Sequence, residues 1–366
     1  MAEFVNFGTP IHFGWGCFDR IAELIPMGRS FIVSGRKSAR NLGLINRLEE
    51  LNDVEIGHFS GVEPNPSSVT VEEGASEMAD FNPDIVIAVG GGSVMDAAKF
   101  MSVIAKHGGS VMDYIRGREP PDGGYPLYAV PTTPGTSSEI TPYSIVTLEE
   151  INNKVGLRHP SIYPKGAVID PKLTVTLPED QTAATGLDIL SHAVESYWAS
   201  GSDPLTREMS LNSVTLVKEH LVKAYRDGSV RKNREGVSLA SVFAGLAFSN
   251  TGTTICHSIS YPVTYDTGLP HGIAVAITLG PTFDLLHSRN VQGLDRLAEA
   301  FGSDTFSFSD DMLDLLSALK VPKTFPEAGF EGGLQRIMST DLTPLMKNMP
   351  IGLSEADMES IVKSVL

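Results

Sequence analysis

The stretch DIVIAVGGGSVMDAAKF, residues 84–100, contains the strongest strand signal in the first half of the chain. Its opening segment, 84–90, is mostly β-branched and apolar and ends in glycine, which predicts a buried strand. The segment that begins at Ser93 has helical periodicity, so a helix is predicted directly after the glycines. A strand, a glycine turn and a helix in this order are typical of a parallel sheet covered by helices.

The same alternation continues on both sides of this stretch. Strands are predicted at 30–35 and 126–133, and helices at 41–52 and 67–81. After residue 178 the pattern becomes helical with almost no strands, and one long helix is predicted over 271–287. We therefore predict two domains, an α/β domain over 1–178 with a mostly parallel sheet and an all-helical domain over 179–366.

Composition limits the partners and the compartment. A net charge of −16 disfavours nucleic acid and anionic membranes, which both bind basic faces. The sequence has no run of about 18 uncharged apolar residues, so no membrane helix is predicted. The N-terminus does not resemble a signal peptide. Two cysteines make no disulfide framework, so a reducing, cytoplasmic location is expected.

The glycine run Gly90, Gly91 and Gly92 predicts a phosphate-binding loop. Without Cβ atoms its backbone N–H groups can approach a ligand, and the helix opened by Ser93 has a positive N-terminal end suited to a pyrophosphate. The spacing matches neither common phosphate-loop motif. A tight turn in which Ser93 and Asp96 form a capping box is the alternative, and for Asp96 capping and cofactor contact stay equally open.

A hydroxyl-rich segment follows the next predicted strand. Thr132, Thr133 and Thr136 lie in PTTPGTSSEITPYSIVT, residues 131–147. These hydroxyls are able to bond the amide or phosphates of a cofactor, or to satisfy the loop's own backbone. Both interpretations stay open from the residues alone.

Four side chains in the helical half predict a metal site. Asp188 and His192 are four residues apart on one predicted helix and so share a face, while His257 and His271 lie on later apolar segments. One carboxylate and three imidazoles suit Zn²⁺ or Fe²⁺. Any one of them alone is better explained as a hydrogen-bonded core or capping residue, but the set on successive helices favours a metal.

These motifs, taken together, resemble the iron-containing (group III) alcohol dehydrogenases. The resemblance implies a Rossmann-like dinucleotide-binding domain, a helical domain with the active site in the cleft between them, and a homodimer. It implies a metal-dependent, NAD(P)-linked interconversion of a small primary alcohol and its aldehyde, with Fe²⁺ or Zn²⁺ polarising the substrate oxygen. The motifs that carry it, in chain order, are EPNPSS (63–68), GGGSVMDAAK (90–99), PTTPGTSSEITPYSIVT (131–147), HPSIYPKGAVIDP (159–171), GLDILSHAVESY (186–197), CHSISYP (256–262) and LPHGIAVAI (269–277).

The resemblance also assigns roles to single residues. It implies metal ligation by all four members of the donor set: Asp188, His192, His257 and His271. It implies a cofactor site in which Gly91, Gly92 and Ser93 hold the pyrophosphate, Thr132, Thr133 and Thr136 line the nicotinamide side, and Asn65 and Lys154 contact the cofactor.

One position departs from the family pattern. Many members have a histidine, assigned to proton transfer, four residues after the third ligand, where this chain has Tyr261. His257 and Tyr261 are therefore the expected catalytic residues. The phenol, with an ordinary pKa of about 10 against about 6.5 for histidine, either transfers the proton with a different pH profile or leaves that task to water and the cofactor ribose. Core packing with one hydrogen bond is the alternative.

The end of the first predicted strand bears on cofactor choice. NAD-preferring members can have an acidic residue there for the ribose 2′-hydroxyl, whereas this chain has Gly35 followed by Arg36, with Lys37 and Arg40 nearby. Cations without a carboxylate favour a 2′-phosphate, so NADP(H) is preferred over NAD(H). The alternative is that these cations only begin a solvated helix.

Two other functions remain open at this stage. One is a metal-independent reductase of the maleylacetate type, which the complete donor set disfavours. The other is a lyase like the dehydroquinate synthases, which recycles its NAD, so net cofactor turnover distinguishes it from a dehydrogenase. No motif identifies the alcohol or aldehyde.

Overall fold

The structure, a computed structural model, describes residues 5–26, 28–51, 55–151, 153–340 and 342–366. The chain forms two compact units, Asn6–Thr174 and Val175–Leu366. This division falls close to the predicted boundary at residue 178. The first unit is α/β and the second is helical, so the predicted fold class is confirmed.

A six-stranded sheet in the order β1-β8-β5-β4-β2-β3 forms the centre of the first unit. Its strands are β1 (Ile11–Phe13), β2 (Ser30–Gly35), β3 (Ile56–Val62), β4 (Ile85–Gly90), β5 (Leu127–Pro131) and β8 (Gly166–Ile169). Every neighbouring pair is parallel, as predicted. A separate antiparallel hairpin of β6 (Tyr143–Leu148) and β7 (Asn153–Arg158) is not predicted by the sequence pattern.

Helices cover both faces of this sheet. They are α1 (Ile21–Leu24), α2 (Ser38–Asn41), α3 (Leu44–Leu51), α4 (Ser68–Phe81), α5 (Gly92–His107) and α6 (Val111–Ile115). Successive residues of a strand point to opposite faces, so Val86 and Ala88 pack with α4 and α5 while Ile85 and Ile87 pack with α3. Burial on both faces explains why β4 is apolar throughout rather than alternating.

The carboxyl ends of β2, β4 and β5 lie side by side at one edge of the sheet. Gly35 ends β2, Gly90 ends β4 and Pro131 ends β5, and Gly90 pairs with Pro131. The Thr132 N–H donates to the Gly90 carbonyl at 2.8 Å, which joins the two following loops. In open parallel sheets, ligands bind at this edge, so the fold brings the three predicted cofactor segments together.

The second unit is built around a central buried helix, α7 (Glu179–Trp198). The others are α8 (Pro204–Arg226), α9 (Arg231–Thr251), α10 (Ile255–Thr267), α11 (His271–Ala276), α12 (Leu279–Ser288), α13 (Leu294–Ala300), α14 (Phe308–Ala318), α15 (Gly333–Met338), α16 (Thr343–Met346) and α17 (Glu355–Lys363). Among the described helices, none is by itself long and apolar enough to cross a membrane, and the bent pair α9–α10 passes by length and composition alone.

One helix prediction in this unit is wrong. The segment 271–287 forms α11 and α12 rather than a single helix. The Thr278 N–H bonds the Val275 carbonyl, three residues back, which tightens the end of α11. Pro281 has no N–H to donate to the Ile277 carbonyl, so one hydrogen bond that a continuous helix would need is missing at this point.

Candidate metal centre and cofactor loops

Asp188 and His192 lie in the middle of α7, where the helix is enclosed by other helices. The two side chains are 5% and 6% exposed, and Asp188 Oδ1 lies 4.0 Å from His192 Nε2. The i,i+4 spacing of a helix places them on the same face, as the sequence predicts. Leu187 and Leu190, on other sides of α7, are buried in the core of the unit and so hold the helix in a fixed position.

His257 on α10 completes a compact group with these two residues. The ligand atoms of Asp188, His192 and His257 all lie within 4.8 Å of one another, and His257 is 3% exposed. The His192 ring stacks between Phe248 and His257, with ring centroids 4.1 Å and 4.9 Å apart. The three donors are thus positioned by packing before any ligand binds.

The group fits a divalent cation. Asp188 Oδ1 and His257 Nε2 are buried and accept or donate no hydrogen bond among the described residues. Buried polar atoms are costly unless paired, and a carboxylate oxygen beside imidazole nitrogens is the donor set that Fe²⁺ and Zn²⁺ bind. An ion at this point would satisfy both atoms at once.

The fourth predicted ligand, His271, stands beside this three-residue group. It opens α11, and its ring centroid is 5.1 Å from that of His257, while its Nδ1 lies 3.3 Å from Ser260 Oγ. A Cβ on the next residue, Gly272, would meet the Ala184 carbonyl and lie 2.7 Å from the Asp188 N. Glycine is therefore what allows α11 to lie against α7 and bring His271 to the group.

Tyr261 lies one helical turn beyond His257 on α10. Its ring stacks on His271 with centroids 5.9 Å apart and planes 15° apart. Burial raises the pKa of Tyr261 to about 12, with the Glu195 and Asp188 carboxylates adding to the effect. The phenol therefore keeps its proton at neutral pH and is a possible donor beside the candidate metal ligands.

Glu195 is a site residue that the sequence analysis missed. It is fully buried on α7, and one of its oxygens bonds His257 Nδ1. Burial alone would raise the pKa of Glu195, but His257 and Thr254 together lower it below its ordinary value. The spacing Asp188-x₃-His192-x₂-Glu195, which puts all three on one helix face, is the signal that reveals it.

The glycine loop of the first unit fits a pyrophosphate. Gly91 is the N-cap of α5 and provides no side-chain cap, so the first N–H groups of that helix have no side-chain acceptor at the cap. A Cβ at Gly91 would lie 2.9 Å from Thr133 Oγ1, and one at Gly92 would meet Thr136. Close approach of the two loops, rather than a positive φ, explains these glycines.

The Ser93–Asp96 capping box is wrong, because the cap of α5 is Gly91. Ser93 Oγ accepts instead from the Asn65 N–H at 3.2 Å, so Asn65 lies directly beside the glycine loop. Asn65 has a left-handed φ of 53°, and its carbonyl accepts from Thr147 Oγ1 at 3.1 Å. These contacts bring together Asn65, Ser93 and the glycines, as the sequence predicts for a cofactor site.

Asp96 joins α5 to the hydroxyl-rich segment. Its Oδ1 accepts from Ser138 Oγ at 2.6 Å, and burial raises the pKa of Asp96 to about 6 while Lys99 and Lys154 oppose that rise. The buried Lys99 Nζ bonds the carbonyls of Ser138, Thr141 and Tyr143, and burial lowers the pKa of Lys99 to about 8. This network fixes the segment that carries Thr133 and Thr136 against the glycine loop.

The end of β2 carries an unopposed group of cations. Arg36, Lys37 and Arg40 form no ion pair with any carboxylate in the described ranges. Ser34 Oγ lies 2.9 Å from His58 Nε2, and burial and Arg40 lower the pKa of His58. A Cβ at Gly35 would lie 3.4 Å from the Val62 carbonyl oxygen and 3.7 Å from Val94 Cγ2, which are ordinary contact distances, so packing does not exclude a side chain at this position.

Comparisons with known proteins identify the family of the chain. Residues 8–171 match the family "Iron-containing alcohol dehydrogenase", and residues 182–366 match "Fe-containing alcohol dehydrogenase family, C-terminal". The chain is 32% identical to an NADPH-dependent butanol dehydrogenase of Clostridium saccharobutylicum over 87% of its own length and 85% of that protein. It is 33% identical to alcohol dehydrogenase 4 of Saccharomyces cerevisiae over 73% of its length and 71% of that protein.

A solved structure shows the same fold along the whole chain. Sulfoacetaldehyde reductase from Bifidobacterium kashiwanohense, in complex with NAD⁺, is 28% identical, with a TM-score of 0.92 over 100% of this chain and 99% of that one. The two family matches together span both units of the chain. The chain belongs to the iron-containing alcohol dehydrogenase family.

Proposed function

We propose that this NAD(P)-linked alcohol/aldehyde oxidoreductase acts on a small primary alcohol and its aldehyde with a divalent ion held by Asp188, His192, His257 and His271. The observation that carries the proposal is the buried group of three ligand atoms within 4.8 Å, two of which have no described hydrogen-bond partner. When bound, the ion supplies Lewis acidity for the substrate oxygen and the nicotinamide supplies or accepts the hydride.

The chain's own residues position these groups and exclude water. Asp188, His192 and His257 are held by rigid helices, and their burial keeps the local dielectric low, which strengthens any charge placed there. Gly91 and Gly92 let the threonine segment lie against the start of α5, whose first N–H groups suit the cofactor's pyrophosphate, and Lys99 fixes that segment. A homodimer and a cytoplasmic location stay predictions, to be tested by sedimentation and cell fractionation.

The metal requirement is the first prediction. Protein freed of metal by chelation should lose turnover on a panel of neutral and anionic aldehydes with NADPH, and Fe²⁺ or Zn²⁺ added back separately should restore it at about one ion per chain. The measurement is the absorbance of the reduced nicotinamide. Full activity without metal would favour the metal-independent reductase, and no net cofactor turnover would favour the lyase.

Cofactor preference is the second prediction, supported by Gly35 and the unopposed cations beside it. Arg36→Ala should lower kcat/KM with NADPH by about 10- to 100-fold, the value of one charge-assisted hydrogen bond, and change it little with NADH. Arg20→Ala, which removes an exposed arginine paired with Glu23, is the matched control. Equal efficiency of the parent with both cofactors would contradict the NADP(H) preference.

Proton transfer by Tyr261 is the third prediction. Tyr261→Phe keeps the ring that stacks on His271 and removes only the hydroxyl. If the phenol transfers the proton, kcat should fall by at least about 100-fold, the usual contribution of a general acid, while metal content stays unchanged.

Tyr261→His is the companion variant, because it restores the residue that many family members have. It should move the pH optimum toward neutrality, since histidine titrates near pH 6.5. If kcat of Tyr261→Phe stays within about threefold of the parent, the loss is smaller than general acid catalysis contributes. That result would assign Tyr261 to packing.

A further inference from the structure

Glu195 receives three donors from one short stretch of chain. Its Oε1 accepts from Thr254 Oγ1 at 2.6 Å and from the Cys256 N–H at 2.8 Å, and its Oε2 bonds His257 Nδ1. The side chain is fully buried, so no water competes for these contacts. Through them, a residue of α7 both caps the start of α10 and holds the imidazole that α10 carries.

The contacts around Glu195 fix the direction of two of its hydrogen bonds, and the third follows from an ionised carboxylate. The Cys256 backbone N–H can only donate, and Thr254 Oγ1 already accepts from Trp198 Nε1 at 2.9 Å, so its proton points to Glu195. An ionised carboxylate only accepts, so His257 Nδ1 must carry the proton in this pair. The lone pair of the neutral imidazole is then on Nε2, the buried atom without a described partner.

We propose that Glu195 is a positioning residue that fixes the tautomer of His257 in which Nε2 binds a metal ion. This inference rests on the proposed metal ligation by His257. Carboxylates that accept from the second ring nitrogen of a ligating histidine orient the ring and raise its basicity. Glu195 therefore acts on the metal through His257, without entering the group of ligand atoms itself.

The substitution Glu195→Gln exchanges donor and acceptor in the hydrogen bond to His257 Nδ1, while the volume of the side chain stays nearly the same. The amide oxygen must face Thr254 and Cys256, because both donate, so the amide NH₂ faces His257 Nδ1. Nδ1 then accepts, and the imidazole proton moves to Nε2, where it blocks ligation. Glu195→Asp instead keeps an acceptor-only group but shortens the side chain and leaves a cavity.

The experiment measures Zn²⁺ affinity by chelator-buffered titration of metal-depleted full-length protein, with thermal unfolding of the same metal-free samples. Glu195→Gln should weaken Zn²⁺ binding by about 10- to 100-fold, the usual effect of removing such a partner, and Glu195→Asp by less. Without metal, the Glu195→Asp protein should unfold at a lower temperature than the Glu195→Gln protein, because the shorter side chain leaves a cavity. The order of the two variants in stability is thus the opposite of their order in Zn²⁺ affinity.

Asp203→Asn is the matched control, since Asp203 is another buried carboxylate of the same unit that caps α8. It should leave Zn²⁺ affinity unchanged, because asparagine and aspartate cap helices about equally well.

Glu195→Gln binding Zn²⁺ within about threefold of the parent, or more tightly than Glu195→Asp, would overturn the inference alone. Failure of Glu195→Gln to fold would also overturn it. In this inference the glutamine amide pairs with Thr254, Cys256 and His257, so no donor at this position should lack an acceptor. A parent protein that binds no Zn²⁺ would overturn the proposed metal centre, and this inference with it.

Discussion

Two carboxyl groups, those of Asp188 and Glu195, are buried on one face of helix α7, and the candidate metal centre depends on what surrounds them. Buried charge is tolerated only where donors or cations meet it. Glu195 is met by Thr254, Cys256 and His257, which ties α10 to α7. Asp188 Oδ1 has no donor among the described residues, and a cation bound there would satisfy it.

Close backbone approach is the second constraint, and glycine provides it in both units. Gly272 lets α11 lie against α7, which brings His271 beside His257. Gly91 and Gly92 let the threonine segment lie against the start of α5. In each case a Cβ would occupy the space that a neighbouring backbone or side chain needs. The candidate metal centre and the candidate cofactor loop therefore both depend on glycine at these positions.

The pattern of apolar residues predicted most of the fold. Strand β4 is apolar throughout, and in the second half apolar residues recur every three to four positions, as in helices. It failed at two places: the segment 271–287, which contains Pro281, forms two helices, and the segment 131–147, interpreted as a hydroxyl-rich loop, contains most of strand β6. The grouping of Asp188, His192 and His257 was predicted, but Glu195 was missed, because its role depends on α10 packing against α7.

An anomalous difference map from crystals of the protein loaded with Fe²⁺ or Zn²⁺ would locate the ion directly. One strong peak per chain is expected in contact with the Asp188 carboxylate and His257 Nε2, with His192 and His271 as the other ligands. A strong peak elsewhere, or none at this group in crystals of active protein, would contradict the proposed metal centre.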